Sequence, residues 1–448
     1  MFKNIKKNKD KKFHDINRKR RGFKRIRGMK DILFDEYRYW DLVVNKAGNL
    51  AKTYSFKQIS TPLLENLELY KRSSGKSSDI VNKEMYSFID KNGEKLAIRP
   101  EATPGMARAY IEHGMFNLPQ PIKMFWLGPL LRHEKPQSGR LRQHTQFDLE
   151  IFGEASPVAD FMLILIAFNF FRELQINVHI QINSIGCREC RKEYISRLLE
   201  FYRERGKRSK LCPDCKKRII KNPLRLLDCK EEKCIELRAE APQIVDFLCD
   251  ECRNHFIKVL EYLDELDIPY NLNSFLVRGL DYYTKTVFEI LPAEDDSSRQ
   301  SSLGGGGRFD ELVENLGGRP TPACGFGIGL ERVILKIKEK NIPLKRDEEN
   351  YVFIAQLGDQ SRRKAIGLFE ELRRGGINVR QSFTKDSLKA QLEEANRLGA
   401  KFTLILGQKE MIDGTILIRD MESGIQEVID YKKIKNEIEK KLNGITNH

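Results

Sequence analysis

The 448-residue sequence predicts an α+β protein: a β-rich body with a few helices, interrupted by a helical cysteine-rich insertion and followed by a small α/β domain. Three observations carry that reading. Residues 28–155 and 272–335 share β-type runs punctuated by Gly and Pro. Eight of the nine cysteines fall between residues 187 and 252, in a charged stretch where apolar residues recur at three- and four-residue spacing, as in EYISRLLEFYRERG and HFIKVLEYLDELDI. After residue 350, strand-like and helix-like segments alternate from YVFIAQL to TILIRD, the pattern of a compact α/β domain with a mainly parallel sheet. The length also exceeds one ordinary core, so two or three domains are expected.

The chain opens with a basic stretch, residues 1–27, that holds thirteen Lys/Arg and two Asp, or +11 of the formal +15. It lacks an apolar h-region and is a poor signal peptide. A solvated, disordered extension over 1–26 and a nucleic-acid-binding arm both fit, because clustered Lys/Arg attract phosphates with little sequence preference. The apolar run FMLILIAFNFF (161–171) is too short to span a bilayer, so a soluble, cytoplasmic protein without a membrane partner is expected.

The cysteines form four close pairs: Cys187 with Cys190, Cys212 with Cys215, Cys229 with Cys234, and Cys249 with Cys252. Cytosolic thiols stay reduced, and two adjacent thiolates span one edge of a tetrahedral zinc site, so structural Zn2+ fits the spacing better than disulfides. Reduced structural cysteines are the other reading. Eight thiols allow two four-cysteine sites, or one site with four spare. Cys324 stands apart in an apolar stretch and reads as a small buried residue.

Five further stretches carry chemistry. In FWLGPLLRHEKPQSGRLRQHTQFDLEIFG (125–153), a strand, a cationic loop and a second strand follow one another, and His144, Gln146, Asp148 and Glu150 share one face while Phe147, Leu149 and Ile151 share the other. Arg132 and Glu134 are read as part of the first strand, facing a lined pocket. LAIRPEATPGMARAYIEHG (96–114) reads as a strand ending at Glu101, then Thr103 as an N-cap before Pro104. SLGGGGRFDELVENLGG (302–318) lacks the Gly-Lys-Ser/Thr of a P-loop, but its glycines allow close approach of backbone to a flat ligand. In ACGFGIGLERVILKIKEK (323–340), Gly325, Gly327 and Gly329 share a strand face that could lie under a purine, and Arg332 opens the next helix against the dipole. Finally, NSFLVRGLDYYTKTVFEI (273–290) puts Arg278 between two β-type runs. A strand core excludes a lone arginine, so Arg278 meets either a ligand or a carboxylate such as Asp281 or a nearby glutamate.

These residues resemble a known family. GPLLRHE with its second strand resembles motif 2 of the class II aminoacyl-tRNA synthetases, GFGIGLER resembles motif 3, and FKQISTPLLENLELY resembles motif 1. LVRGLDYYT and SLGGGGRFDELVENLGG are similar to the two histidine-specific motifs of the histidyl-tRNA synthetases. The resemblance runs from about Arg27 to the C-terminus, with the five motifs in order. It implies a class II antiparallel sheet flanked by helices, holding ATP and L-histidine, with motif 1 at a homodimer interface. The implied parts are a catalytic domain over 27–186 and 269–338, the cysteine-rich helical insertion over 187–268, and an α/β anticodon-binding domain over 350–448.

The implied activity is attachment of L-histidine to tRNA(His) through a histidyl-adenylate, with Mg2+ on the phosphates of ATP. Arg278 and Arg132 are the implied catalytic pair. The histidine set is Glu101, Ala102, Thr103, Arg132, Gln146, Glu150, Arg278, Tyr282 and Tyr283, with Glu101, Thr103 and Gln146 at the α-amino end and Glu150 and the tyrosines at the imidazole. The ATP set is Arg132, Glu134, Arg140, Gly304, Gly325, Gly327, Gly329 and Arg332. tRNA is expected along Arg140, Arg142, the insertion and the C-terminal domain. A regulatory histidine-binding subunit of ATP phosphoribosyltransferase is the alternative, and a zinc-dependent RNA-binding protein a more distant one.

Overall fold

A computed structural model describes residues 23–445, apart from 76, 77, 79, 205, 294–301, 345–350 and 383. The readings of the basic extension therefore lie almost wholly outside the described residues. The chain divides into two compact units, Met1–Leu344 and Lys345–His448.

In the first unit, strand β1 (Lys57–Gln58) is followed by β2 (Leu64–Asn66), β3 (Ser87–Ile89) and β4 (Lys95–Ile98), the last three forming a small antiparallel sheet. Strands β5 (Ile122–Leu131), β6 (Gln143–Phe152), β7 (Val178–Ser184), β8 (Tyr270–Leu272), β9 (Thr284–Pro292), β10 (Gly304–Arg308) and β11 (Ala323–Gly329) join β1 in an eight-stranded sheet, in the order β1-β5-β6-β11-β10-β9-β7-β8. All internal pairs are antiparallel; only the edge pairs β1/β5 and β7/β8 are parallel. The alternation along β6 holds as expected. Phe147, Leu149 and Ile151 enter the main core together with Phe288, Ile290, Phe326 and Ile328 from neighbouring strands.

Helices cover that apolar face. Helix Pro157–Glu173 starts at Ser156, whose hydroxyl accepts from the Val158 amide at 3.3 Å, with Pro157 in the first turn. It buries Leu163, Ile164, Ile166, Phe170 and Phe171, and each side chain fully removed from water stabilises by roughly 1.5–3 kcal/mol. Helix Asp250–Glu265 packs beside it: Phe256, Val259 and Leu263 belong to the main core, so the final part of the cysteine-rich stretch is built into the body of the first unit.

Three local expectations are corrected. The strand before the Glu101 corner ends at Ile98, and the following helix, Thr103–Glu112, is preceded by Ala102 with no side-chain cap; the Thr103 hydroxyl is used elsewhere. Arg132 and Glu134 lie beyond the end of β5 at Leu131. Residues 273–283 are irregular between β8 and β9, so Arg278 sits in a loop, where an arginine interrupts no ladder.

In the second unit, β12 (Val352–Gln356), β13 (Val379–Gln381), β14 (Phe402–Leu406), β15 (Thr415–Asp420) and β16 (Gln426–Asp430) form a sheet in the order β13-β12-β14-β15-β16. The first three strands are parallel and the last two antiparallel, so the sheet is mixed where a mainly parallel one was expected. Helices Asp359–Arg374 and Leu388–Leu398 supply the crossovers, and Ile434–Ile445 closes the unit.

Candidate active site

The polar face of β6, the glycine strands β10 and β11, and the loop before β9 enclose a cavity of about 1060 Å³. Glycine makes this face usable by side chains from next door. A Cβ on Gly325 would lie 1.5 Å from Glu150 Oε2, and one on Gly327 would lie 1.7 Å from Gln146 Nε2. The β6 side chains thus lie across β11, in register with it. This corrects the bare purine-sized floor expected from Gly325 and Gly327; Gly329 alone of the three is open. On β10, a Cβ at Gly305 would meet Arg278 Nη1 at 2.8 Å, whereas one at Gly304 would meet Ile328 and the Gly327 carbonyl. Gly305 is therefore the pocket-facing glycine, and Gly304 approaches the cavity with its backbone.

One end of the cavity is acidic. Glu101, 4% exposed, accepts from the Ser74 hydroxyl and, at 2.8 Å, from Tyr282 Oη. Glu150 accepts from Thr103 Oγ1 at 2.6 Å, and its Oε2 has no partner. Asp148 Oδ1 accepts from Gln146 Nε2 at 3.0 Å, and its Oδ2 has none. Burial pushes all three carboxyls above their ordinary range, with hydrogen bonds or the Arg132 guanidinium only partly opposing it. Glu101, Thr103, Gln146, Asp148, Tyr282 and Tyr283 line the cavity, while Ala102 and Glu150 lie behind its wall. The Tyr282 hydroxyl turns to Glu101, not to Glu150.

The other end is cationic. Arg132 donates Nε to the Pro100 carbonyl at 2.7 Å, Arg140 pairs with Glu134 at 2.6 Å, and Arg332 Nε reaches the Gly139 carbonyl at 3.2 Å. Arg278 pairs with Glu289 at 2.7 Å across the loop, not with Asp281, and its buried Nε has no partner. These four guanidiniums share this end of the wall with the two carboxylates that pair with Arg140 and Arg278, Glu134 and Glu289. His144 between them is held neutral, its pKa lowered to about 3 by burial and then by Arg132, Arg332 and Arg140. Glu331 locks the base of β6 by accepting from the Thr145 amide at 2.7 Å, and burial raises its pKa to about 7.

Ser74, Glu289, Glu331 and Asn222 were not singled out in the sequence. For Glu289 a signal existed, since it is the one acidic residue between Thr284 and Pro292. Ser74 lies in polar sequence, and nothing local connects it with Glu101.

The eight cysteines gather into two quartets. Cys187, Cys190, Cys249 and Cys252 form one, and Cys212, Cys215, Cys229 and Cys234 the other, the sulfurs of each set lying within 4.8 Å of one another. Sulfur separations of 3.5 Å for Cys187–Cys190 and 3.8 Å for Cys212–Cys229 compare with the roughly 3.8 Å edge of a tetrahedron with Zn–S of about 2.3 Å. Backbone amides also donate to sulfur, Cys249 to Cys190 at 3.1 Å and Cys212 to Cys234 at 3.3 Å. Such donors stabilise thiolates bound to a metal.

Comparison with known proteins bears on this geometry. The family profile described as histidyl-tRNA synthetase matches residues 28–195 and 215–333, and one described as anticodon binding domain matches 351–441. A histidine--tRNA ligase of Dehalococcoides mccartyi is 44% identical over 417 residues, covering 93% of this chain and 99% of that protein. One from Clostridium novyi is 44% identical over 402 residues, covering 89% and 94%. The crystal structure of apo S. aureus histidyl-tRNA synthetase superposes with a TM-score of 0.79 at 33% identity, covering 93% of this chain and all of that one.

Proposed function

The chain belongs to the histidyl-tRNA synthetase family, and from that premise we infer how its cavity works: it activates L-histidine with ATP and attaches it to tRNA(His). The observation that carries this reading is the division of one cavity into an acidic end, lined by Glu101 and by Asp148 with its unpaired Oδ2 and backed by Glu150, and an end with the guanidiniums of Arg132, Arg140, Arg278 and Arg332. The histidine carboxylate attacks the α-phosphorus of ATP and pyrophosphate leaves. The terminal ribose hydroxyl of tRNA(His) then attacks the histidyl carbonyl, releasing AMP.

At the acidic end, Glu101 with Thr103 and Gln146 takes the α-ammonium, and Glu150 with Tyr282 and Tyr283 takes the imidazole. Buried groups made for two ring nitrogens reject analogues lacking them by a factor on the order of 10^4, because unpaired polar atoms would remain. At the cationic end, Arg278 and Arg132 stabilise charge developing on the α-phosphoryl oxygens, and Arg332 and Arg140 hold the outer phosphates. Arginine suits this task because its planar fork stays charged and binds phosphate bidentately. ATP also involves Glu134 and the backbones of Gly304, Gly325, Gly327 and Gly329. Mg2+ on the phosphates of ATP would supply further charge neutralisation, with at most one or two protein carboxylates needed to hold it.

The same reading extends to parts of the chain outside the cavity. Leu63, Leu64, Phe88 and Ile89 leave apolar surface exposed on and beside the small β2-β4-β3 sheet, next to motif 1, which supports a homodimer contact there. The two quartets fit structural Zn2+, the catalytic body spans 27–186 and 269–338 around the insertion, and residues 350–448 read the anticodon. Among the described residues no helix is long and apolar enough to cross a membrane, and the tRNA substrate of the family is what supports a cytoplasmic enzyme. The regulatory-subunit alternative is disfavoured by the match over 351–441 together with the presence of Arg132, Arg278 and Arg332.

The test is charging itself. Purified protein with ATP and Mg2+ should esterify L-histidine onto a tRNA(His) transcript and leave noncognate tRNA and the other amino acids unreacted. A folded protein that binds histidine but charges no tRNA would return the regulatory reading.

A further inference from the structure

The inner quartet is part of the cavity wall. Cys212 and Cys229 line it, as do Arg225 and Asp228, whereas the outer quartet contributes no lining residue. Helix Pro213–Lys221 starts from Cys212, contains Cys215 and ends at Asn222, whose Nδ2 donates to Asp281 Oδ1 at 2.7 Å. Arg225 pairs with Asp228, the neighbour of Cys229, at 3.4 Å and reaches the Arg278 carbonyl at 3.5 Å. Ile219, Leu226 and Leu227 share one apolar cluster with Leu276, Val277, Tyr282 and Tyr283. The loop 273–283 has no strand ladder of its own; these contacts hold its middle, while Asn183 Nδ2 donates to the Ser274 and Leu276 carbonyls at 3.3 and 3.0 Å and Arg191, beside Cys190 of the outer quartet, donates to the Tyr283 carbonyl at its far end at 2.9 Å.

Resting on the metal reading of the quartets, we propose that a thiolate-bound divalent metal in the inner quartet positions the Arg278–Asp281 stretch for amino-acid activation, while the outer quartet reaches this loop only at its end, through Arg191 and the Tyr283 carbonyl. Asn222 lies seven positions after Cys215 and Arg225 four before Cys229, so order imposed at the sulfurs passes directly to the loop. Asn222 is then a positioning residue that acts through Asp281.

The experiment uses the full chain and combines metal analysis with hydrogen exchange of backbone amides in 273–283. Wild type should carry two zinc ions. Cys229→Ser should lose one, raise exchange in 273–283 by about tenfold or more and slow single-turnover adenylate formation. Cys249→Ser should lose one zinc and raise exchange at most beside Tyr283, where Arg191 donates, leaving 273–281 unchanged. Asn222→Ala keeps every thiolate and tests the link even where Cys229→Ser fails to fold: two zinc ions retained, melting unchanged, kcat for adenylate formation down about fivefold to tenfold, the scale of one lost hydrogen bond, and KM for histidine changed less than twofold. Metal-free wild type, unchanged exchange in both inner variants, or an equal rise in Cys249→Ser would each overturn the proposal. Exchange and metal content do not depend on which amino acid is activated, so a failure of the histidine reading would be seen separately.

Discussion

The two ends of the cavity differ in how deeply they bury charge, Asp148 and Glu150 being 3% and 1% exposed where the Arg278 and Arg140 side chains are 19% and 48% exposed, and in what they leave unpaired. At the acidic end Glu150 and Asp148 each keep one carboxylate oxygen without a partner, and burial favours their neutral forms. At the cationic end each arginine has one contact or a few, and Arg278 keeps a free Nε. Arg308, one strand away, shows a buried charge that is fully met. It is 0% exposed and is bound by Asp160, Asp310 and the carbonyls of Glu154 and Ser156, with His255 on the far side of Asp160 at 3.2 Å. Saturated charge is a structural device; unsaturated charge of one sign is a seat for a ligand of the other.

The largest effect should come from breaking the saturated case. Arg308→Met leaves Asp160 without its main partner and should destabilise the first unit by about 3–5 kcal/mol in thermal or denaturant melts. Although burial acts to raise it, the Asp160 carboxyl lies below its ordinary range because Arg308 and His255 hold it there. Its contribution is therefore present above the unfolded carboxylate value and lost as pH falls through the depressed one.

Smaller but more selective, Glu150→Gln should weaken histidine binding by about 10- to 100-fold with little change in melting, since Gln keeps the shape but cannot ionise when the imidazole arrives. Calorimetry measures it, and unchanged affinity would detach Glu150 from the ligand. The raised carboxyls make a weaker prediction still. Histidine's cations favour the ionised forms, so binding should tighten severalfold as pH rises through the raised pKa values, level off above them and fade below. Binding should also release protons, which heats measured in two buffers of different ionisation enthalpy would reveal. Least affected should be a chain lacking residues 1–22: unchanged activation, and tRNA binding at most a few-fold weaker, visible only at low salt.

Much of this was legible in the sequence where the signal is periodic or local. The two-residue alternation in 143–152 gave both the core face and the polar face of β6, because side chains in a strand must alternate. Cysteine spacing gave a metal site but not its partners: the quartets nest, Cys187 and Cys190 with Cys249 and Cys252 around the inner set, and only the folded path brings positions about sixty residues apart together. Thr103 had the sequence of an N-cap, yet its hydroxyl goes to Glu150, 47 residues away, where burial makes an unmet carboxylate costlier than an open helix end. Gly325 and Gly327 advertised space without saying who fills it, and Glu150 and Gln146 from the neighbouring strand do. Strand β16 and the last helix were missed because exposed, charged residues weaken their apolar pattern.

The claim that the arginine end performs chemistry and the acidic end performs recognition is tested most directly at Arg278. Single-turnover histidyl-adenylate formation and histidine affinity should be measured on one preparation of Arg278→Ala, beside its melting curve and the Arg278→Lys variant. The rate should fall by about 10^2- to 10^3-fold while histidine affinity stays within about threefold, and lysine should restore only part of the rate because it lacks the bidentate fork. A folded Arg278→Ala protein that forms adenylate at a near-normal rate, or one whose only defect is a lower melting temperature from the lost Glu289 pair, would contradict the account.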